Sequence, residues 1–577
     1  MVQALDRVDR VWNLVEPAES KVSSLVDSLG ISKFFARLLV LRGLDQPAKV
    51  HEFLDAGRSS LHPAGLLKGL DEARDLILST VAAGRKIAIC GDYDVDGLTA
   101  STILYWVIRR IKGECEIHIP NRNRDSYGLS TEILERVSRG GAGLVVAVDN
   151  GTNAIDEVAL ADRLGLPVAV VDHHQPSLAL PRAKALINPL QSGCSYPFKK
   201  LSSVGLVHKL GGAILKRAHL DQAILDRFFD STIGLVAVGT IADMVPLVDE
   251  NRALVRLGLE SLSRASHPGV KTLLELDDMA DGAVTAEWVS YKLVPRLNAA
   301  GRIADPQLAL SFLLATEAAE SAALARDLNA LNQKRARLVN RLWIEVSERR
   351  KEWEHLGIPV IVLNSPYRGV MGLLASRMKD TVGRPSIALA SDGIRAVGSA
   401  RSVRGFDVTR ALTAVSSHLE RFGGHEQAAG LTVSCERVEA FVQALEGHSA
   451  EQARAAGLAP SYSICGEVSG RDVIDVLPEL LDKMAPFGEG NPSPLFLMRH
   501  VSVRRSERFG AGGQHVRLTC SELPAGIDNL GLGLASRTEL VLKCSSIVDL
   551  LFSVERQVSR QRSGILIRIQ DLRPSRG

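Results

Sequence analysis

Between residues 86 and 171 the chain alternates short, wholly apolar runs with stretches in which apolar residues recur every three to four positions. The runs "KIAIC", "CEIHI", "GLVVAV" and "PVAVV" are brief and rich in β-branched residues. That is the pattern of strands buried on both faces of a parallel sheet. Between them, Leu98 to Ile111 and Thr131 to Arg139 carry the helical period. Strand and helix in repeated alternation predict a doubly wound α/β domain with a parallel sheet. A longer apolar stretch, "STIGLVAVGTIADMVPL", exceeds strand length and predicts a helix running into a turn at "ADMVP", with Asp243 at its end.

Further along, Leu324, Leu328, Leu331, Leu338 and Leu342 recur at helical spacing among charges, which predicts one long amphipathic helix connecting two domains over 319–356. The strand pattern then resumes in "IPVIVLNSP" and "RPSIALASDG", around the helical "GVMGLLASRMK". A second, smaller α/β domain is expected over 357–450. From 460 to 573 the chain alternates in short strands with Gly-rich turns, the pattern of a small antiparallel β-barrel, with an OB-fold as the natural candidate. Residues 1–60 read as a helical amino-terminal segment without a chemical motif, and 61–318 as the first α/β domain.

Composition narrows the class. The 577 residues suit several domains, and no apolar run approaches the ~18 residues of a membrane span. The amino terminus lacks the apolar centre of a signal peptide, so a cytoplasmic protein without membrane contact is expected. Seven cysteines, never in a CxxC pair, indicate neither a disulfide framework nor a cysteine zinc site. Net charge is only +3, yet residues 495–577 hold 13 Lys and Arg against 7 Asp and Glu, which leaves the rest slightly acidic. A basic terminal barrel fits a nucleic-acid surface as well as it fits a solvated arginine-rich face. Phe496, Phe509 and Phe552 are among its few aromatics, too few to assume base stacking there.

Doubly wound sheets bind ligands at the carboxyl ends of their strands. In this chain each such position is polar. "GDYDVDG" puts Asp92, Asp94 and Asp96 after the first run, "PNRNR" puts Asn121 and Arg122 after the second, Asp149 follows the third, and Asp172, His173 and His174 follow the fourth. Carboxylates so close together repel unless a cation neutralises them. An EF-hand is excluded, because its twelfth position, which needs a carboxylate, is Ile103. A ligand set of Asp94, Asp96, Asp149, His173 and Asp243 is dominated by oxygen and suits Mn²⁺ or Mg²⁺, and its size fits two ions better than one. Paired ions of that kind serve phosphoester hydrolysis.

The set "GDYDVDG", "VDNG", "DHH" and "GTIADMVPL" resembles the DHH phosphoesterase superfamily. "PRLNAAGRIADP", "GSARS", "FGGHEQAAG" and "PFGEGNPSPLF" are similar to segments of its RecJ branch, exonucleases specific for single-stranded DNA. The similarity runs in order from about residue 40 to the carboxyl terminus. It implies a DHH domain, a DHH-associated domain and a terminal OB-fold. It also implies a processive 5′ to 3′ exonuclease that releases 5′-mononucleotides with two Mn²⁺ or Mg²⁺ ions. On that resemblance Asp94 and Asp96 divide between the ions, Asp149 bridges them, and His173 and Asp243 complete the second. Asp92 and His174 lie at the edge, supporting ligands or touching phosphate. Gly423, Gly424 and His425 hold the scissile phosphate, so that Asp149, His173, His174 and His425 are the expected catalytic residues. Arg122, Arg302, Ser399 and Arg401 bind strand phosphates, in particular at the 5′ end. Cys90 stands where many members carry a metal-binding histidine, and Ser126, Glu426 and Gln427 also depart from the commonest forms. The resemblance further implies work in DNA recombination and repair beside a single-strand-binding protein and a helicase. An alternative is a DHH phosphodiesterase of short oligonucleotides or cyclic dinucleotides, whose members generally lack the OB-fold. A noncatalytic DNA-binding relative is a further class, disfavoured by the complete ligand set.

Overall fold

The structure is a computed structural model, which describes residues 10–121, 128–264, 267–279, 284–457, 461–510, 512–523, 527–558 and 563–575. It begins with strand β1 (Val11–Leu14) and helices α1 (Glu19–Leu29), α2 (Lys33–Val40) and α3 (Pro47–Leu54). Local signals bound these helices. α1 stops at Gly30, which adopts the left-handed φ of +63° that a helix end favours, and Ser32 opens α2 by accepting the Phe35 N–H.

Helix α4 (Leu70–Ala82) leads into a sheet of β2 (Lys86–Gly91), β3 (Cys115–His118), β4 (Ala142–Val148), β5 (Val168–Val171) and β6 (Ala185–Ile187). The order is β3-β2-β4-β5-β6 and every neighbour is parallel. The four apolar runs are therefore strands. The "ALI" of β6 is too short to carry a pattern of its own. Helices α5 (Val95–Arg110), α6 (Thr131–Arg139), α7 (Ile155–Arg163), α8 (Ser203–Arg217), α9 (Gln222–Ala242) and α10 (Asp249–Ser263) complete the layers. Successive strand residues point to opposite faces. Ile87, Ile89, Val146 and Val148 pack under α5, α8 and α9, whereas Ala88, Cys90, Val145 and Ala147 pack under α6 and α7. Both faces are covered, which is why the runs are apolar at every position. The chain leaves β2 for β3 on one side and returns to β4 on the other, so a crevice opens at the carboxyl ends of β2 and β4.

The long amphipathic helix is Ala318–Glu348. Leu328 lies in the core of the first domain, and Leu342, Trp343 and Val346 lie in that of the second, so one rigid rod anchors both. It ends short of 356 because the chain folds back through a short helix at Arg350–Trp353, burying Trp353, whose indole N–H donates to the Val346 carbonyl at 3.0 Å. The second domain is a sheet of β7 (Val360–Asn364), β8 (Ser386–Ser391), β9 (Arg395–Arg401), β10 (Arg421–His425) and β11 (Ala428–Ser434), ordered β10-β11-β9-β8-β7.

In the carboxyl-terminal part, β12 (Ser461–Glu467) runs parallel to β13 (Leu495–Phe509). With β14 (His515–Cys520), β15 (Asp528–Gly531), β16 (Ile547–Val558) and β17 (Ser563–Pro574), β13 closes a five-stranded barrel, since it pairs with both β14 and β16. The amino-terminal segment belongs with this barrel. β1 pairs with β12 in parallel, and Val22, Leu25, Phe35 and Phe53 share a core with Phe496, Leu550 and Phe552. No helix among the described residues is long and apolar enough to cross a membrane.

Candidate metal centre and phosphate cleft

Asp92 and Asp94 occupy the turn between β2 and α5, and Asp96 lies in the first turn of that helix. Asp94 caps α5, accepting the Gly97 N–H at 3.1 Å, so a carboxylate sits where the helix leaves N–H groups free. Gly97 is required. A Cβ there would stand 2.6 Å from the Asp92 carbonyl oxygen and 2.7 Å from its nitrogen. Asp96 is buried, and its two oxygens accept the Ser203 and Val204 N–H groups at 2.8 and 2.9 Å, at the start of α8. Burial pushes its carboxyl up to about 6, with Asp94 adding to the shift and His173 and the two N–H groups opposing it.

Asp149, just past β4, is buried and has φ +63°, an uncommon conformation for a residue with a side chain. It accepts the Ser203 hydroxyl at 2.8 Å, and its Oδ1 lies 3.5 Å from His173 Nε2. Burial and the charges of Asp96 and Asp94 raise its carboxyl well above the ordinary range. Asp243 caps the end of α9 with its Oδ2 3.4 Å from His173 Nε2. Burial and Asp96 push it up to about 7 against the pull of His173. His173 is itself raised, since Asp243 and Asp96 outweigh its burial.

Asp172 is the scaffold for both histidines. It is buried and accepts the His173 N–H at 2.8 Å, the His174 N–H at 3.2 Å, His174 Nδ1 at 2.7 Å and the Thr152 N–H at 3.0 Å. Burial alone would raise it; the hydrogen bond from His174 and the charges of His174 and His173 hold it well below the ordinary carboxylate range. In return, against burial, Asp172 pushes His174 up to about 10. Asn150 ties two strand ends together, donating to the carbonyls of Cys90 at 3.1 Å and Val148 at 2.9 Å. The Cys90 side chain packs in the apolar layer under α6, and burial pushes its thiol up to about 12.

Among the described residues, three groups have ligand atoms within 4.8 Å of one another: Asp92, Asp94 and Asp149; Asp96, His173 and Asp243; Asp149, His173 and His174. Asp149 and His173 join them into one cluster. His173 Nε2 and Asp243 Oδ2 are buried and, among the described residues, make no hydrogen bond, because their 3.4 Å approach lacks the geometry for one. Carboxylates raised by burial and by mutual repulsion beside orphaned ligand atoms are what a cation site looks like without its charge. The residues fit divalent cations that favour oxygen and imidazole.

The second domain faces this cluster. His425, at the end of β10, stacks on His174 with ring centroids 5.7 Å apart and planes 12° from parallel, and burial and the charge of His174 lower its pKa. In the sheet, His425 pairs with Ala428 and Ala428 with Arg401; Gly423 pairs with Gly430 and Gly430 with Ser399. Directly paired residues share a face. His425, Arg401, Gly423 and Ser399 therefore line one surface, bare at its two glycines. Gly424 has φ +151° and no room for a side chain, since a Cβ there would stand 2.3 Å from the Ala428 carbonyl oxygen. Arg401 and Ser399 border Gly372 in the helix Met371–Val382, and the Arg302 guanidinium donates to the Gly369 carbonyl at 3.2 Å. Arg122 and Ser126 lie outside the described residues. Sequence reasoning missed Ser203, whose only signal was a Ser-Ser pair opening an apolar helix. It also left Asp172 out of the site, although "DHH" displays it.

Family models match three segments: the DHH family amino-terminal domain over residues 86–240, the DHHA1 domain over 358–450, and the RecJ OB domain over 466–571. The chain is 33% identical over 545 residues to the single-stranded-DNA-specific exonuclease RecJ of Bacillus subtilis, covering 93% of this chain and 67% of that one. It is 32% identical to the same-named protein of Dickeya dadantii, covering 96% and 97%. Crystal structures agree. RecJ of Thermus thermophilus in complex with Mn²⁺ superposes with TM-score 0.80 at 26% identity over 98% of this chain and 80% of that one. An exonuclease RecJ bound to manganese superposes with TM-score 0.58 at 30% identity, covering 67% and 95%.

Proposed function

The chain belongs to the RecJ family of single-stranded-DNA-specific exonucleases, and from that membership we propose that it is a metal-dependent exodeoxyribonuclease degrading single-stranded DNA from its 5′ end to mononucleotides. The observation that carries the reading is the cluster of buried carboxylates and imidazoles at four strand and helix ends, facing a glycine-bare surface beside His425. In it Asp92, Asp94 and Asp149 would hold one Mn²⁺ or Mg²⁺ ion, and Asp96, His173, Asp243 and a shared Asp149 the second. Bound there, the ions supply an activated water and neutralise charge on a phosphoryl group under attack.

The rest is the work of the chain's own side chains. Ser203 fixes Asp149 by donating to it, and the α8 N–H groups fix Asp96. Asp172 holds His174, on which the His425 ring stacks, so imidazoles from two domains meet over the scissile phosphate. Gly423 and Gly430 let a sugar-phosphate backbone approach the sheet, and Gly424 permits the tight turn of the strand beside them. Arg401, Ser399 and Arg302 are suited to a terminal phosphate, with a guanidinium as the bidentate donor. Arg401 stands two strands from His425, ~10 Å away at ordinary strand spacing. A 5′ phosphate held there sets one of the first phosphodiesters at the metal cluster, which supports the 5′ to 3′ direction.

Replacing Arg401 with Ala tests this. Hydrolysis of DNA bearing a 5′ phosphate is expected to fall about tenfold, the weight of a charge-assisted hydrogen bond, while a 5′-hydroxyl strand is affected less. Equal loss on both strands would remove the terminal-phosphate role. Family membership also underlies the proposal of work in recombination and repair beside a single-strand-binding protein and a helicase.

A further inference from the structure

Asp243 does not stand on a free helix end. Residues 244–248 link it to α10, and this loop is strained at both ends, with Met244 at φ +60° and Asp249 at φ +48°. Such conformations persist where surroundings impose them. Between those two positions, Pro246, Leu247 and Val248 pack on the segment 483–492 of the carboxyl-terminal part, which contains most of the "PFGEGNPSP" motif. The Leu247 N–H donates to the Glu489 carbonyl at 2.7 Å. Gly488 lies against Leu247, and Gly490, at φ +73°, has no room for a side chain, with Pro246 Cβ 2.9 Å from where its own Cβ would be. Asn251 donates to the Pro246 carbonyl at 3.0 Å, and Asn491 closes the turn by donating to the carbonyls of Met484 and Pro486 at 2.9 and 2.8 Å.

Arg252 on α10 fastens the two together. Its side chain is fully buried. Nε donates to Phe53 O at 2.7 Å, Nη1 to Met484 O at 2.9 Å, and Nη2 to Ala485 O at 2.8 Å and Lys483 O at 3.3 Å, with the guanidinium 3.6 Å from the centre of the Phe53 ring. These carbonyls are the free ends of two helices, α3 and Leu477–Met484, where a cation is favoured. One guanidinium thus joins the DHH domain to both parts of the barrel assembly nine residues from Asp243.

We propose that Arg252 and the Gly488–Asn491 turn are positioning elements for Asp243, so that the barrel assembly forms part of the metal centre as well as a surface for DNA. The inference rests on the reading of Asp243 as a metal ligand. Its test is Mn²⁺ binding to the metal-free full-length chain by titration calorimetry, without DNA or turnover. Asp243→Asn identifies the binding event that depends on this carboxylate. Arg252→Lys, which loses the fork, and Gly490→Ala, which crowds Pro246, are expected to weaken that same event about tenfold, as partners behind metal ligands do. Trp12→Phe is the control: it removes the 2.8 Å contact to Asp571 within the barrel assembly, and should leave Mn²⁺ affinity within about twofold. Variants that melt cooperatively yet bind Mn²⁺ as tightly as the parent overturn the inference. If Arg252→Lys does not fold, Gly490→Ala decides. A parent chain that binds no Mn²⁺ overturns the metal reading instead.

Discussion

Asp149 joins two of the three candidate metal groups, and its replacement separates catalysis from stability. Asn is isosteric, tolerates φ > 0 and keeps an acceptor for the Ser203 hydroxyl. Asp149→Asn should therefore lower exonuclease activity roughly 10³-fold or more. It should also raise the melting temperature of the metal-free protein, because one of several repelling carboxylates is gone; relief of 1 kcal/mol corresponds to about 1–2 °C for an unfolding unit of this size. Added Mn²⁺ should stabilise the parent and not the variant. A second residue reports on acid stability. His208 is buried against Phe228 and Phe229, and burial pushes its pKa down to about 3. The unfolded chain then binds the extra proton first, so stability is lost as pH falls below about 6.5, at up to ~1.4 kcal/mol per unit. His208→Phe should flatten this slope in melting curves between pH 6.5 and 4. An unchanged slope would assign the loss to other groups.

Among elements, the strands of the first sheet were legible because burial on both faces leaves apolar runs that nothing else of that length produces. Their polar ends exposed Asp92, Asp94, Asp96, Asp149, His173 and His174 together. β1 was not legible. Its partner, Ser461–Ile464, lies some 450 residues away, and four residues of "VWNL" encode no partner. The amino-terminal helices were legible as helices but not as a wall of the barrel, since an amphipathic face does not name what covers it. Ser203 was hidden for a related reason: its role comes from where α8 points. The helix Met371–Val382 provides a test at this scale. Gly372 sits in its first turn, and a Cβ there would stand 2.5 Å from Arg401 Nη2. Gly372→Ala favours the helix by ~0.5–1 kcal/mol yet must displace the guanidinium. KM for 5′-phosphorylated DNA is expected to rise about tenfold without a fall in melting temperature. A lower melting temperature with unchanged KM would contradict this placement of Arg401.

For the whole molecule, the basic balance of the terminal barrel overstates its free charge. Arg505 pairs with Glu507, Arg508 with Glu539, Arg517 with Asp528, Arg556 with Asp482 and Arg568 with Glu555. Phe496 and Phe552 are buried in the core, which leaves Phe509, beside His515 and Arg517, as the accessible one of the three named aromatics. Affinity for single-stranded DNA should therefore fall with salt at a slope corresponding to about 3–5 phosphates, at roughly −0.7 each, rather than to every arginine of the barrel. A slope near roughly −8 in a salt titration would mean that these pairs open on binding. In the proposed function the barrel, the connector rod and the two α/β sheets serve one act: hydrolysis at the carboxyl ends of β2, β4 and β5 of a strand presented by its 5′ end. The most direct test is the order in which label leaves single-stranded DNA marked at either terminus, with Mn²⁺ present, for the parent and Asp149→Asn. Immediate release of the 5′ label as mononucleotide, with the 3′ label retained until late and neither released by the variant, is the predicted result. Early loss of the 3′ label, or digestion by Asp149→Asn at the parent rate, would contradict it.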